Sequence, residues 1–207
     1  MESGGGAPPD GVWVGRPVRP VQYADFSIWQ REALGDEVRA AQLGYWREQL
    51  RDCPAALDFP SKCAPSVSSG FRGGIEYRDL SATLSEDFRA LARRQGVTRF
   101  MGLLALFQVL LSRYTGEADV AVGCPMTHRF RAEVSRVVGF FANMMVLRSR
   151  LAGNPTFREL LRRTREVALG AYAHQDLPFE ELVAELQPER IRGRNPFFQA
   201  MLVVEES

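Results

Sequence analysis

The stretch from Phe100 to Leu111, Phe-Met-Gly-Leu-Leu-Ala-Leu-Phe-Gln-Val-Leu-Leu, limits the fold more than any other part of the chain. Thr98 is placed to cap a helix before it and Gly116 to stop one after it, so it reads as a helix from Phe100 to Tyr114. A helix that is apolar almost all round is expected to be central rather than peripheral. Gly102 and Gln108 interrupt the run, which falls short of the ~18–20 residues a membrane span needs, so it reads as the core helix of a soluble domain. Directly after it, Asp119-Val-Ala-Val-Gly123 is a short apolar run before Pro125, the pattern of a buried strand.

The other elements follow from period and punctuation. Residues 1–20 hold glycines, prolines and little that could pack, a flexible lead-in or linker; residues 21–207 carry the folded unit. Order is expected to begin near Tyr23–Gln30 and to run into a helix in which Val38, Ala41, Tyr45 and Trp46 recur at helical spacing, closed by Leu50 before Pro54. Pro54–Gly74 is a long Pro-, Ser- and Gly-rich loop. Ile75–Leu84 alternates and reads as a strand, and Ser85 as the cap of a helix presenting Phe88, Leu91 and Ala92. Met144–Arg150 reads as a strand. Thr156-x-x-Glu159 is a capping box opening a helix with Phe157, Leu160, Leu161, Thr164, Val167, Ala168, Ala171 and Tyr172 on one side. A short helix over Phe179–Leu186, a basic loop over Arg190–Pro196 and a last strand over Phe197–Glu205 complete the chain. With no regular βαβ alternation and no repeat, the class is α/β (α+β), a mixed β-sheet covered by helices.

Composition bounds the function. A formal net charge of +1 gives no electrostatic reason to expect nucleic acid or an acidic membrane as partner. Cys53, Cys63 and Cys124 are odd in number and form no C-x-x-C, so neither a disulfide framework nor a zinc site is expected. Reduced thiols and an N-terminus without an apolar signal core point to the cytoplasm.

Candidates for chemistry are few, because the chain has two histidines and no Gly-rich phosphate loop, G-x-S-x-G or H-E-x-x-H. His174 beside Asp176, where a helix ends, has the residue types of a base with an orienting acid. The competing reading is structural: His174 meets the helix C-terminus, Asp176 begins a turn and Pro178 opens the next helix. His128 follows the strand that ends at Gly123, where α/β folds place sites, and a solvated loop position is the other reading. Asn143 lies among Phe and Met residues, so its amide needs buried partners, either backbone or substrate. Arg190, Arg192 and Arg194 are either a phosphate cluster or a solvated basic loop.

Four segments, in order, resemble the core motifs of the condensation domains of nonribosomal peptide synthetases. Tyr23-x-Asp25-Phe26-x-x-Trp29-Gln30 resembles Y-x-D-[YF]-A-x-W. Val138-Gly139-Phe140-Phe141-Ala142-Asn143 through Arg148 resembles I-G-x-F-V-N-T-x-x-x-R. His174-Gln175-Asp176-Leu177-Pro178-Phe179-Glu180 is similar to H-Q-D-x-P-F-E, and Arg190 through Arg194-Asn195-Pro196-Phe197-Phe198-Gln199 resembles R-x-x-S-R-N-P-L-F-Q. Met144 replaces the usual Thr, and Thr127-His128-Arg129 stands where Ala-Asn-Arg is frequent.

The resemblance implies a chloramphenicol acetyltransferase-like lobe. Family members have two such lobes and about twice this length, with the catalytic H-H-x-x-x-D-G ending the first lobe; that motif does not occur here. The chain therefore resembles the C-terminal lobe, with no catalytic residue of its own expected. The family reaction is amide formation between two thioesters carried on the phosphopantetheine arms of carrier proteins, with no directly bound cofactor. The implied partners are an N-terminal lobe on the same or a separate chain, peptidyl carrier proteins and adjacent synthetase domains; an uncovered lobe face also predicts self-association. Asn143 and, more weakly, His128 are expected to line the tunnel or lobe interface, and either the Pro54–Gly74 loop or the segment after Asn143 to bridge the lobes. The rival expectation is a non-catalytic module that docks a carrier protein or another synthetase domain.

Overall fold

The apolar run forms helix α4, Arg99–Thr115, in this computed structural model, which describes residues 21–60, 73–129, 131–191 and 193–205. Residues 1–20, most of the long loop (61–72), Cys63 and Arg192 lie outside the described residues. Thr98 Oγ1 accepts from the Met101 amide, and Gly116 ends the helix at φ 80°, a left-handed conformation that suits glycine. Leu104, Ala105 and Gln108 have no exposed surface. The helix is less enclosed than expected, because Leu106, Leu110 and Tyr114 form an outward-facing stripe.

The other helices are α1 (Tyr23–Ala33), α2 (Asp36–Gln49), α3 (Ala82–Arg94), α5 (Phe157–Ala173) and α6 (Phe179–Leu186). Two antiparallel strands, β1 (Asp119–Thr127) and β2 (Ala142–Arg150), pair from Asp119 opposite Arg150 to Thr127 opposite Ala142. α4 and α5 pack on each other and on this pair. Val120, Val122, Val146 and Leu147 are fully buried. Gln108, which reads in sequence as an interruption of the apolar run, completes the packing. Its amide donates to Leu147 O (2.9 Å) and accepts from Ser149 Oγ (2.7 Å), satisfying the strand where no further strand pairs among the described residues.

Three expectations change. Ile75–Ser81 is not a strand; Ile75 and Tyr77 are 78% and 80% exposed, since alternation makes a strand only where a neighbour pairs. The next helix starts one turn early, capped by Ser81 Oγ accepting from the Leu84 amide rather than by Ser85. The last strand reduces to one parallel bridge, Gly123 to Met201, with the Gly123 amide donating to Ala200 O and the Leu202 amide to Gly123 O (both 3.0 Å). The next donor along that edge would be Pro125, which has no N–H, so the ladder stops. The sheet itself is the antiparallel pair, and the parallel bridge lies outside it. The bridge also depends on a bare backbone, because a Cβ on Gly123 would lie 2.4 Å from the Phe198 ring.

The box at Thr156 forms only half. Thr156 accepts from the Glu159 amide, but the Glu159 carboxylate turns to Arg162 and Arg163. In α2 the inward face is Gln42, Leu43 and Trp46, while Val38 is exposed.

Candidate functional site

The segment from His174 to Phe179 is where α1, α2, β1, β2 and α5 converge. α5 ends at Ala173, and His174 folds back so that its Nδ1 lies 2.8 Å from Gly170 O in the last helical turn. Its ring stacks on Tyr45 of α2 at 4.1 Å and 4°. Burial there pushes the Tyr45 phenol up to about 12. Trp46 Nε1, one residue on, donates to His174 O (2.8 Å). Gln42, a turn earlier on α2, donates to Asp176 Oδ2 (3.2 Å) and accepts from the Leu177 amide (2.8 Å). His174 and Asp176 are thus held by different partners. Pro178 precedes the first residue of α6, and Leu177 is buried. Arg39 of α2 fixes α6 from the other side through Glu181 and Glu185.

Asn143 closes the junction from β2. Its Nδ2 donates to Gln175 O and Leu177 O (both 2.9 Å), and its Oδ1 accepts from the amides of Met144 (2.9 Å) and Phe179 (3.0 Å). The question left open by the sequence, backbone or substrate, is answered by geometry: all of this amide's hydrogen-bonding capacity meets main chain. His128, past the end of β1, brings Nε2 to 3.1 Å from Gln175 O. Both imidazoles of the chain therefore face carbonyl oxygens. His128 and Asp176 border a recess of ≈ 290 Å³ against Phe26 and Trp29 of α1 and Leu34 just after it.

The other motif residues are held by contacts in three groups. Asp25 Oδ2 accepts from the Gln22 amide at the start of α1. Tyr23 donates to Phe140 O (2.9 Å) and sets its ring edge-on to Phe141. This approach needs Gly139, where a Cβ would fall 2.3 Å from the Tyr23 ring. Buried Phe141 lies between Phe26 (4.6 Å) and the Arg129 guanidinium (4.2 Å), and Trp29 lies under Arg131. Arg148, with a side chain only 3% exposed, forks onto Asp119 (2.8 and 2.6 Å) and donates to Gln49 O, Arg51 O and Asp52 O, tying β2 to the end of α2. Phe179 packs against Phe197 and Phe198, which joins the turn to the last motif. There Arg194 pairs with Asp58 (2.9 Å), while Gln199 donates to Asn195 O and accepts from the Leu57 amide. Pro196 O accepts from the Phe198 amide.

Gln42, Trp46 and Arg129 carry as much of this site as the motif residues, and the sequence reading places none of them in it. The available signal was Gln42 and Trp46 at i, i+4 on one helical face. Among the described residues, no group of three or more His, Cys, Asp and Glu side chains could hold a metal ion. No single helix there is long and apolar enough to cross a membrane.

The polar centre of this small helix-covered sheet is bound to its own backbone. The chain belongs to the condensation domain family, whose model matches residues 15–207. It is 46% identical over 186 residues to a linear gramicidin synthase protein of Brevibacillus parabrevis, covering 90% of this chain and 4% of that protein. It is 41% identical over 197 residues to phosphinothricin tripeptide synthetase PhsC of Streptomyces viridochromogenes, covering 95% and 18%. The condensation domain of the Monacolin K polyketide synthase MokA superposes with a TM-score of 0.67 at 27% identity, over 92% of this chain and 46% of that one. The X-domain from teicoplanin biosynthesis shares the fold, with a TM-score of 0.80 at 24% identity over 87% and 41%. The chain thus spans a small fraction of these synthetases and less than half of each of these solved chains.

Proposed function

We propose that this chain acts as the C-terminal half of a nonribosomal peptide synthetase condensation domain and forms no amide bond by itself. In this reading the amine of one carrier-bound aminoacyl thioester attacks the carbonyl of another, and the thiolate of the donor arm leaves. The lobe contributes half of the tunnel wall, so its share of the rate is proximity and orientation. The histidine that handles the proton comes from an N-terminal lobe bearing H-H-x-x-x-D-G. Phosphopantetheine arms of carrier proteins deliver both substrates, in the cytoplasm.

The supporting observation is that both imidazoles face main-chain carbonyls, His174 at Gly170 and His128 at Gln175, so neither is poised as a general base. Val138 and Phe140 are 93% and 72% exposed, a composition suited to a protein interface. With that face open, the chain is expected to self-associate at high concentration.

Calorimetric titration tests the reading. The chain is expected to bind a recombinant N-terminal condensation lobe with micromolar affinity and a holo carrier protein only weakly. Tight binding of the carrier protein with none of the lobe would replace this reading with that of a non-catalytic docking module.

A further inference from the structure

We propose that Arg129 is a positioning residue whose guanidinium holds the loop 134–140 in shape, presenting Val138 and Phe140 to the companion lobe; the identity of that partner rests on the reading above. Two residues past β1, Arg129 Nη1 donates to Val134 O (2.9 Å) and Val137 O (2.8 Å) and reaches Ser135 O at 3.5 Å, while Nη2 reaches Gly139 O at 3.4 Å. The same group stacks on Phe141 at 4.2 Å.

The near side of the loop is also held by packing, since Val134 is buried with Phe26 and Phe141 and Val137 packs against them; past Val137 the loop has little else to hold it among the described residues. Its own backbone bonds are short turns, Ser135 N to Ala132 O and Val137 N to Val134 O, until His128 N meets Phe141 O (2.7 Å) at the strand. On the far side of Gly139, Tyr23 donates to Phe140 O. One cation and one phenol, from two distant segments, therefore fix the main chain on both sides of the tip. The side chains at that tip point into solvent. A loop ordered in advance around two large apolar side chains loses little freedom on docking, the property expected of a contact surface. Lysine supplies charge but not the planar fork that reaches several carbonyls while stacking on a ring.

The test uses three variants of the chain: Arg129→Met, which keeps an apolar stem over Phe141 and removes every donor; Arg129→Lys; and the double variant Val138→Ala/Phe140→Ala. In the chain alone, Arg129→Met is expected to accelerate amide exchange at Val137 and His128 at least about tenfold, leaving α4 and α5 protected. Against a recombinant N-terminal condensation lobe it should weaken binding at least about tenfold, the double variant should do the same, and combining them should add little. Arg129→Lys should recover part of both losses. Unchanged exchange in Arg129→Met overturns the proposal. So does loosened exchange with undiminished affinity. A wild-type chain that ignores the lobe refutes the docking role together with the reading it rests on, while the exchange measurement still decides whether Arg129 holds the loop. If Arg129→Met does not fold, Arg129→Lys and the double variant form the cycle, and full additivity between them counts against coupling.

Discussion

Replacing Asn143 by alanine should loosen the His174–Phe179 turn and little else at first. The amide makes four main-chain hydrogen bonds, two donated and two accepted, across a junction where no other side chain among the described residues reaches Leu177 O or the Phe179 amide. At about 1 kcal/mol net per neutral bond, with some of the freed groups regaining water, the cost is about 2–4 kcal/mol. For a chain of this size that lowers the melting temperature by roughly 4–16 °C. Asn143→Asp is expected to cost at least as much at neutral pH, because an ionised carboxylate would face two carbonyls where an NH2 group now donates. That penalty shrinks as the pH falls and the new carboxyl takes up a proton. Circular dichroism melts measure both, and amide exchange at Leu177 and Phe179 locates the change. A melting temperature for Asn143→Ala within about 2 °C of wild type would show that the turn holds without the clamp, and would refute this account of the residue.

His174→Ala removes the stack on Tyr45 and the contact with Gly170 O, and is expected to cost about 1–2 kcal/mol; spectrophotometric titration should then show the Tyr45 phenol moving down from about 12, and an unchanged value would contradict the packing role. Arg148→Met removes the bidentate partner of Asp119 and the donor to the carbonyls of Gln49, Arg51 and Asp52, with an expected loss of about 3–5 kcal/mol in denaturant unfolding; a loss below about 1 kcal/mol would show the fork to be dispensable. Burial raises the Cys53 thiol to about 11 and the Cys124 thiol to about 12. Alkylation of these two at pH 8 should therefore run on the order of a hundredfold slower than in the unfolded chain, read peptide by peptide in mass spectra. Because folding favours the neutral thiols, their contribution is complete below the usual thiol value of 9.0 and is lost as pH rises towards about 11 and 12.

What the sequence makes legible here is local, and what it conceals is pairing. α4, α5, α6 and the β1–β2 strands follow from period, caps and punctuation that a few neighbouring residues supply. Ile75–Leu84 has the alternation of a strand but no neighbour to pair with among the described residues, and the final strand is cut to a bridge by the missing N–H of Pro125. The turn at His174 is visible as a landmark, and its structural reading is the one the geometry favours. Its clamps are not visible, because Gln42 and Trp46 lie more than a hundred residues away in sequence and look like an ordinary helical surface. Arg129 is visible only as part of a motif-like segment; its role is not, since a guanidinium that binds carbonyl oxygens has no acidic partner to mark it in the sequence.

The most direct test of the central claim is product formation between two aminoacyl-loaded carrier proteins, followed by mass spectrometry. This chain alone should give no dipeptidyl thioester above the uncatalysed rate, whereas the chain mixed with a recombinant N-terminal lobe carrying H-H-x-x-x-D-G should give product. Product from this chain alone, abolished by His174→Ala or His128→Ala without loss of fold, would contradict the account.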